Sequence, residues 1–264
     1  MPSHSSQGSS ETAVRRFQEF LASKVAPISG WLHDEAALLT AHLARAQRAS
    51  GLSGPTLEIG VFKGKYLSVL YELSKPAEIV VGVDLFIGAS GIALALVLDD
   101  VRGNIAKACG DAARLKLLVA NSLEITAQAL RERAGSSQFR FISIDGGHTR
   151  EIVRNDMALA HSLLQPGGII ALDDAFNHTT PGVIEGTAEF FLRSTPALAP
   201  FAHCYNKLFF TTPEHHRRYL DETRRLVDEV AWLPAHERTR RWITENRAIG
   251  FTPEMFGFEI IPFL

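Results

Sequence analysis

Cysteine is almost missing from this chain: Cys109 and Cys204 are the only two in 264 residues, far apart and outside any C-x-x-C spacing. A disulfide scaffold, a zinc site and a small secreted domain are therefore disfavoured, and a reducing, cytoplasmic setting is expected. No stretch reaches the roughly 18 apolar residues of a spanning helix, and the N-terminal MPSHSSQGSSETAV lacks the apolar centre of a secretory signal, so no membrane partner is expected. Charge of one sign is not in surplus either. With 27 basic and 29 acidic residues the formal charge is -2, which leaves no field to hold a polyanion, and nucleic acid is not an expected partner. The Arg-rich stretch 217–247 is interleaved with acids and reads as a solvated helix face.

What is present is a chain with 46% hydrophobic residues, enough for one α/β core of roughly 150 to 200 residues with appended helices. Residues 1–11 are Ser/Gly-rich, too polar for burial to offset ordering entropy, and read as a disordered tail. Residues 12–53 form a helical extension, with Val14, Phe17, Phe20 and Leu21, then Ala36, Leu39, His42 and Leu43 at helical spacing and a second helix starting near His33. Gly51, Gly54 and Pro55 end that pattern. Residues 54–212 then alternate strand-like runs at 56–60, 79–84, 115–120, 139–145 and 167–173 with helical stretches near 63–74, 93–109, 122–134, 149–164 and 181–194. Continuous apolar strands separated by helices predict an α/β fold, a doubly wound, mostly parallel sheet covered on both faces. Residues 202–205 and 207–212 predict an antiparallel edge hairpin pivoting near Asn206, and 213–264 a C-terminal helical extension whose first helix buries Tyr219, Thr223, Leu226, Val227 and Val230.

Ligands of open α/β sheets sit outside the carboxyl ends of the strands, so the residues closing each strand carry the functional reading. The first strand ends in Glu58-Ile-Gly60-Val-Phe62-Lys-Gly64, an acid followed by two glycines four apart, where backbone can approach a ligand before a helix begins. It is not G-x-G-x-x-G, which disfavours a pyrophosphate-binding dinucleotide site. The second strand ends in Asp84, an acid able to accept from both hydroxyls of a ribose. The third ends in Asn121-Ser122, small polar groups suited to an adenine edge or to capping the helix at 122–134.

The E-x-G-x-x-x-G turn at 58–64, Asp84, and the segment FISIDGGHTREIVRNDMALAHSLLQPGGIIALDD at 141–174 resemble class I S-adenosylmethionine-dependent methyltransferases, in particular small-molecule O-methyltransferases of the catechol and antibiotic-sugar type. The resemblance covers residues 54–212. It implies a Rossmann-like strand order 3-2-1-4-5-7-6, S-adenosylmethionine as cofactor, Glu58, Gly60, Phe62 and Gly64 around its methionine and ribose, Asp84 on the ribose hydroxyls, and Asn121 and Ser122 near adenine.

Asp145 closes the fourth strand and Asp173-Asp174 the fifth, which places their carboxylates on neighbouring edges about 5 Å apart. Such an all-oxygen cluster suits Mg²⁺, or Ca²⁺ or Mn²⁺, better than zinc, and the alternative is that the acids cap helices and bind water. The resemblance implies that Asp145, Asp173 and Asp174 hold Mg²⁺. It also implies that His148, where catechol-type enzymes carry a lysine, is the catalytic base beside Asp145. Histidine, with an ordinary pKa of about 6.5, can accept a proton near neutrality. His178 is a rival base on the 175–182 loop, which with 86–95 and the terminal segments is expected to set the substrate. The reading is a metal-assisted O-methyltransferase of a small hydroxylated metabolite, a sugar or natural-product hydroxyl. Metal-independent small-molecule N-methylation and a catalytically silent nucleoside-binding partner subunit are the alternatives. The N-terminal helices and the aromatic segment with Phe251, Phe256, Phe258 and Phe263 either cover the mouth, form a homodimer contact or pack as core.

Overall fold

The computed structural model describes residues 4–87, 94–193, 198–230 and 234–263, with backbone alone at 4–10, 94, 96, 234 and 235. The apolar runs become β1 (Thr56–Ile59), β2 (Val80–Asp84), β3 (Leu115–Val119), β4 (Phe139–Ile144) and β5 (Leu164–Leu172), all paired in parallel. Successive side chains of a strand face opposite sides, so each strand feeds two hydrophobic layers. Leu57, Ile59, Val81, Val83, Ile142 and Ile144 pack under α5 (Ala127–Ala134), α6 (Arg150–Leu163) and α7 (Gly182–Arg193). Val80, Phe141, Ile169 and Ala171 pack under α1 (His4–Phe20), α2 (Asp34–Ala49), α3 (Lys65–Glu72), α4 (Leu94–Cys109) and α8 (His216–Glu229).

β6 (Ala199–Cys204) and β7 (Lys207–Thr211) form the antiparallel hairpin, turning at Tyr205, whose φ is 55°, and Asn206. The order β3-β2-β1-β4-β5-β7-β6 is the one the resemblance implies, and the sheet is Rossmann-like and doubly wound. One strand more follows. β10 (Ile261–Phe263) runs parallel to β6 and extends the sheet, so the C-terminal segment is not helical throughout. It holds α8, α9 (Pro234–Ala248), the short hairpin of β8 (Glu254–Met255) and β9 (Phe258–Glu259), and this edge strand. A three-residue strand with Pro262 at its centre has no alternation to read, yet it covers backbone groups that β6 would otherwise leave open.

Other boundaries shift for local reasons. α1 begins at His4, so its first turns lie within the stretch 1–11 expected to be a disordered tail. α5 starts five residues later than the 122–134 expectation, because Thr126 is its cap, accepting from the Ala129 amide at 3.2 Å, while Asn121 Oδ1 accepts from the Leu123 amide at 3.1 Å in a separate turn. Residues 88–93, the middle of the expected substrate loop 86–95, lie outside the described residues. The C-terminal aromatics pack on protein: Phe256 stacks on Phe191 with centroids 4.0 Å apart, Phe251 meets Trp242, Phe258 meets His216 and Phe263 meets His236. Among the described residues no helix is long and apolar enough to cross a membrane.

Candidate active site

Sheet register assembles the site. Ile59 pairs with Val83 and with Ile144, Ile144 with Leu172, and Leu172 with Leu208. One residue further on, Asp84, Gly60, Asp145, Asp173 and Lys207 therefore stand in a row across β2, β1, β4, β5 and β7, at the roughly 4.8 Å spacing of adjacent strands. Backbone bonds tie the row together: the Gly60 amide donates to Val83 at 2.8 Å, Asp145 to Ile59 at 2.7 Å and Asp173 to Ile144 at 2.9 Å.

Gly60 has no room for a side chain, since a Cβ there would lie 1.9 Å from the Asp145 carbonyl oxygen, and its φ of +85° is glycine's own territory. Asp84 fastens the turn that follows. Its Oδ2 accepts from the Val61 and Phe62 amides at 2.7 and 2.8 Å, and its Oδ1 from the Phe86 amide at 2.8 Å. Phe62, at φ 50°, projects from this turn, half exposed, and stacks on Trp31 with centroids 6.4 Å apart. Gly64 begins α3 behind the turn, against Val101, and does not line the cleft.

Three cavities meet along this edge. The largest, about 490 Å³, is lined by Glu58, Gly60, Phe62, Asp84, Asp145 and Asp173 among others. A second, about 260 Å³, shares Gly60, Asp84 and Asp145 with it and continues to Asn121, Ser122 and Gly147. A third, about 400 Å³, shares Trp31, Asp174, Asn177 and Asn206 with the first and opens on the far side. The expected cofactor residues thus fall together in the first two cavities, Gly64 excepted.

The electrostatics rest on a residue that the strand-end reading missed. Lys207, 1% exposed, lies 3.1 Å from Asp173 Oδ1, without hydrogen-bond alignment, and 4.2 Å from the centre of the Tyr66 ring. Alternation puts Lys207 on the same side of β7 as Phe209, and Glu58 on the side of β1 opposite Leu57 and Ile59, so both enter the same layer. Burial opposes the lysine charge, but Asp173, Asp145, Tyr66 and Glu58 outweigh it and raise its pKa. Burial, then the Asp145 charge, pushes the Glu58 carboxyl well up, and its Oε2 is buried with no hydrogen-bond partner. Asp145 is pushed up by burial and by Asp173 beside it. Desolvation raises Tyr66 as well, whose hydroxyl lies 2.7 Å from Thr40 Oγ1.

The three acids face different partners. Asp173 is turned to Lys207, whereas His148 Nε2 lies 3.3 Å from Asp174 Oδ2, and Asp145, His148 and Asp174 each offer a ligand atom within 4.8 Å of the others. Asp174, at φ 55°, is held from behind by the side chain of Asn177, whose Nδ2 donates to Oδ1 at 3.1 Å. His178 is exposed and absent from the cleft lining. Asp156 on α6, fully buried, was also missed. Burial pushes it up to about 6 against hydrogen bonds from Ser122 and Asn155, and Asn155 in turn donates to the Ser122 carbonyl at 2.8 Å.

Residues 57–175 match a family model described as a methyltransferase domain. The fold is that of an O-methyltransferase from Bacillus cereus solved with S-adenosylhomocysteine, 18% identical with a TM-score of 0.51 over 80% of this chain and 91% of that one. It is also that of the O-methyltransferase NovP, 14% identical, TM-score 0.51, 67% and 79% covered. A TDP-rhamnose 3'-O-methyltransferase of calicheamicin biosynthesis is 16% identical, TM-score 0.50, with 76% and 93% covered. No curated protein matches the sequence. Strand order, the glycine turn between β1 and α3, and the methyltransferase-domain match, which spans Gly60, Asp84, Asp145 and Asp173, give this chain the fold of the class I S-adenosylmethionine-dependent methyltransferases.

Proposed function

We propose that the chain methylates a hydroxyl of a small metabolite, a sugar or a natural-product phenol, with a divalent cation beside the transfer point. The observation that carries this reading is the continuity of the first two cavities over Gly60, with Asp145, Asp174 and His148 at one end and Asn121 and Ser122 at the other. S-adenosylmethionine brings a methyl group already activated by its sulfonium, so the protein has only to bind, align and exclude water. The cleft suits such a cationic ligand: Glu58, Asp145, Asp173 and Asp174 line it against Lys207, and Glu58 Oε2 lacks the donor that an ammonium would provide.

Asp145 and Asp174, with His148 beside them, would hold the cation, which supplies Lewis acidity toward the acceptor hydroxyl. The two carboxylates, all-oxygen donors, suit Mg²⁺ or Mn²⁺. His148 is the proton acceptor in this reading. Its Nε2 is oriented by Asp174 at 3.3 Å, its Nδ1 is left for the acceptor proton, and its half-exposed ring passes that proton to solvent. A metal-independent transfer, to nitrogen or oxygen, is favoured by one observation: Lys207 already gives Asp173 its counter-charge.

Calorimetric titration with S-adenosylhomocysteine tests the cofactor assignment, with saturable binding expected and no binding at millimolar ligand overturning it. Metal use is tested separately. Exhaustive chelation and Asp174→Ala should each abolish turnover while leaving S-adenosylhomocysteine binding in place, and readdition of Mg²⁺ or Mn²⁺ should restore the chelated enzyme. Activity that survives both treatments transfers the assignment to the metal-independent reading.

A further inference from the structure

We infer that the third cavity is the acceptor subsite and that it selects an uncharged, ring-bearing molecule. This rests on the reading of the first cavity as the methyl-donor site. The third cavity shares Trp31, Asp174, Asn177 and Asn206 with the first but none of the Asn121 end, so its occupant approaches the acids from the side opposite the nucleoside. Its volume, about 400 Å³, is that of a site for a molecule of one or two rings.

The walls are aromatic and brought together from distant parts of the chain. Trp31, 87% exposed, comes from the segment between α1 and α2, and among the described residues its indole has only Phe62 stacked against it. His33 lies flat on Tyr205, centroids 4.6 Å apart and planes 15° from parallel, which joins that segment to the β6–β7 turn. Phe176, half exposed, stands edge-on to His203. Large rings left open at the rim of a polar cleft hold apolar faces to water and mark a contact surface for a flat or CH-rich partner. Hydrogen-bonding capacity is available beside them, because Asn206 Oδ1 is buried with no partner.

Charge sets the selectivity. No lysine or arginine is among the described residues lining this cavity, and Asp174 makes it acidic. Two ammonium groups beside the first cavity are engaged elsewhere: Lys65 donates to the Gly30 carbonyl at 3.0 Å, and Lys207 is buried at Asp173. With no divalent cation on Asp174, a phosphate-bearing acceptor, a nucleotide-linked sugar included, would meet carboxylate without a compensating cation among the described residues lining this cavity.

Two probes that share a phenyl ring separate the terms. The full chain, freed of divalent cations by chelation and loaded with S-adenosylhomocysteine, is titrated with phenyl β-D-glucoside and with phenyl phosphate, following ligand resonances by saturation transfer. The glucoside should bind and phenyl phosphate should bind more weakly or not at all. Phe176→Ala and His33→Ala, both outside the first cavity, should each weaken the glucoside roughly 3- to 10-fold with S-adenosylhomocysteine affinity unchanged, which also reports that the variants are folded. Phe176→Arg should bring phenyl phosphate into the site. Phenyl phosphate binding as tightly as the glucoside, or glucoside binding that is absent or indifferent to both alanine variants, overturns the acceptor assignment. Failure of S-adenosylhomocysteine to bind the unaltered chain overturns the donor-site reading instead.

Discussion

A lysine sealed beneath three carboxyl groups has to be matched or it is ruinous. Lys207 and Asp173 are both nearly fully buried, and the lysine is what keeps Asp173, Asp145 and Glu58 from being a bare cluster of negative charge. Lys207→Met should therefore destabilise the chain by about 3–5 kcal/mol at neutral pH, the usual loss when one partner of a buried pair is removed. Adding Asp173→Asn should recover part of that loss, as read by urea denaturation of the single and double variants; additive losses would show that the two side chains do not depend on each other. At this scale the sequence displayed some residues and concealed others. Gly60, Asp84, Asp145 and Asp174 close strands and were legible by position. Lys207 opens an apolar strand, KLFFTT, and nothing local distinguishes it from a solvated strand end, because its burial depends on pairing with β5, about 40 residues away in sequence. The pairing of Asp173 with Lys207 was hidden for the same reason.

Among the elements, α6 and α7 are packed unusually closely. A Cβ on Gly186 would lie 2.5 Å from the Arg150 carbonyl oxygen, and one on Gly182 would lie 2.4 Å from that of His148. Backbone rather than a flexible side chain stands in the way, so the helices must separate to admit one. Gly186→Val should lower stability by about 1–3 kcal/mol and, because α7 carries the 175–182 loop at its start, should reduce turnover more than S-adenosylhomocysteine affinity. Thermal melts together with calorimetry would check this, and a loss of turnover no larger than the loss of affinity would detach the loop from the helix contact. Long elements were legible from periodicity: β1 to β7, α2, α6 and α8 fall within a few residues of their expected places. What escaped was short or decided by a single local side-chain bond. β10 has three residues and a proline, and α5 loses its first turn to Asn121, whose side chain bonds the backbone locally.

For the molecule as a whole, the buried acids set how stability responds to pH. Glu58, Asp145 and Asp156 all have carboxyl pKa values raised by burial, so the folded chain holds protons that the unfolded chain releases. The stability they contribute is fully present below their ordinary values near 4 and is lost as pH rises through the raised ones. For Asp156, raised from 3.8 to about 6, the difference corresponds to about 3 kcal/mol. Asp156→Asn should flatten the fall in melting temperature between those two values and stabilise the chain at neutral pH. An unchanged pH profile would remove Asp156 from the account. The net charge of -2 foretold none of this, since the imbalance is local: the acids gather at one sheet edge while the arginines lie mostly on outer helices.

The missing side chain at Gly60 also shapes whatever the cleft receives. With the ends of β1 and β4 touching at that point, the floor between the two inner cavities is a ridge of bare main chain, shared by both and walled by Asp84 and Asp145. A molecule lying in both has to arch over that ridge, so curvature is demanded of it before any particular charge or hydrogen bond. Straight, rigid inhibitors would fill one side or the other, and two such fragments joined by a bent tether would gain over either alone.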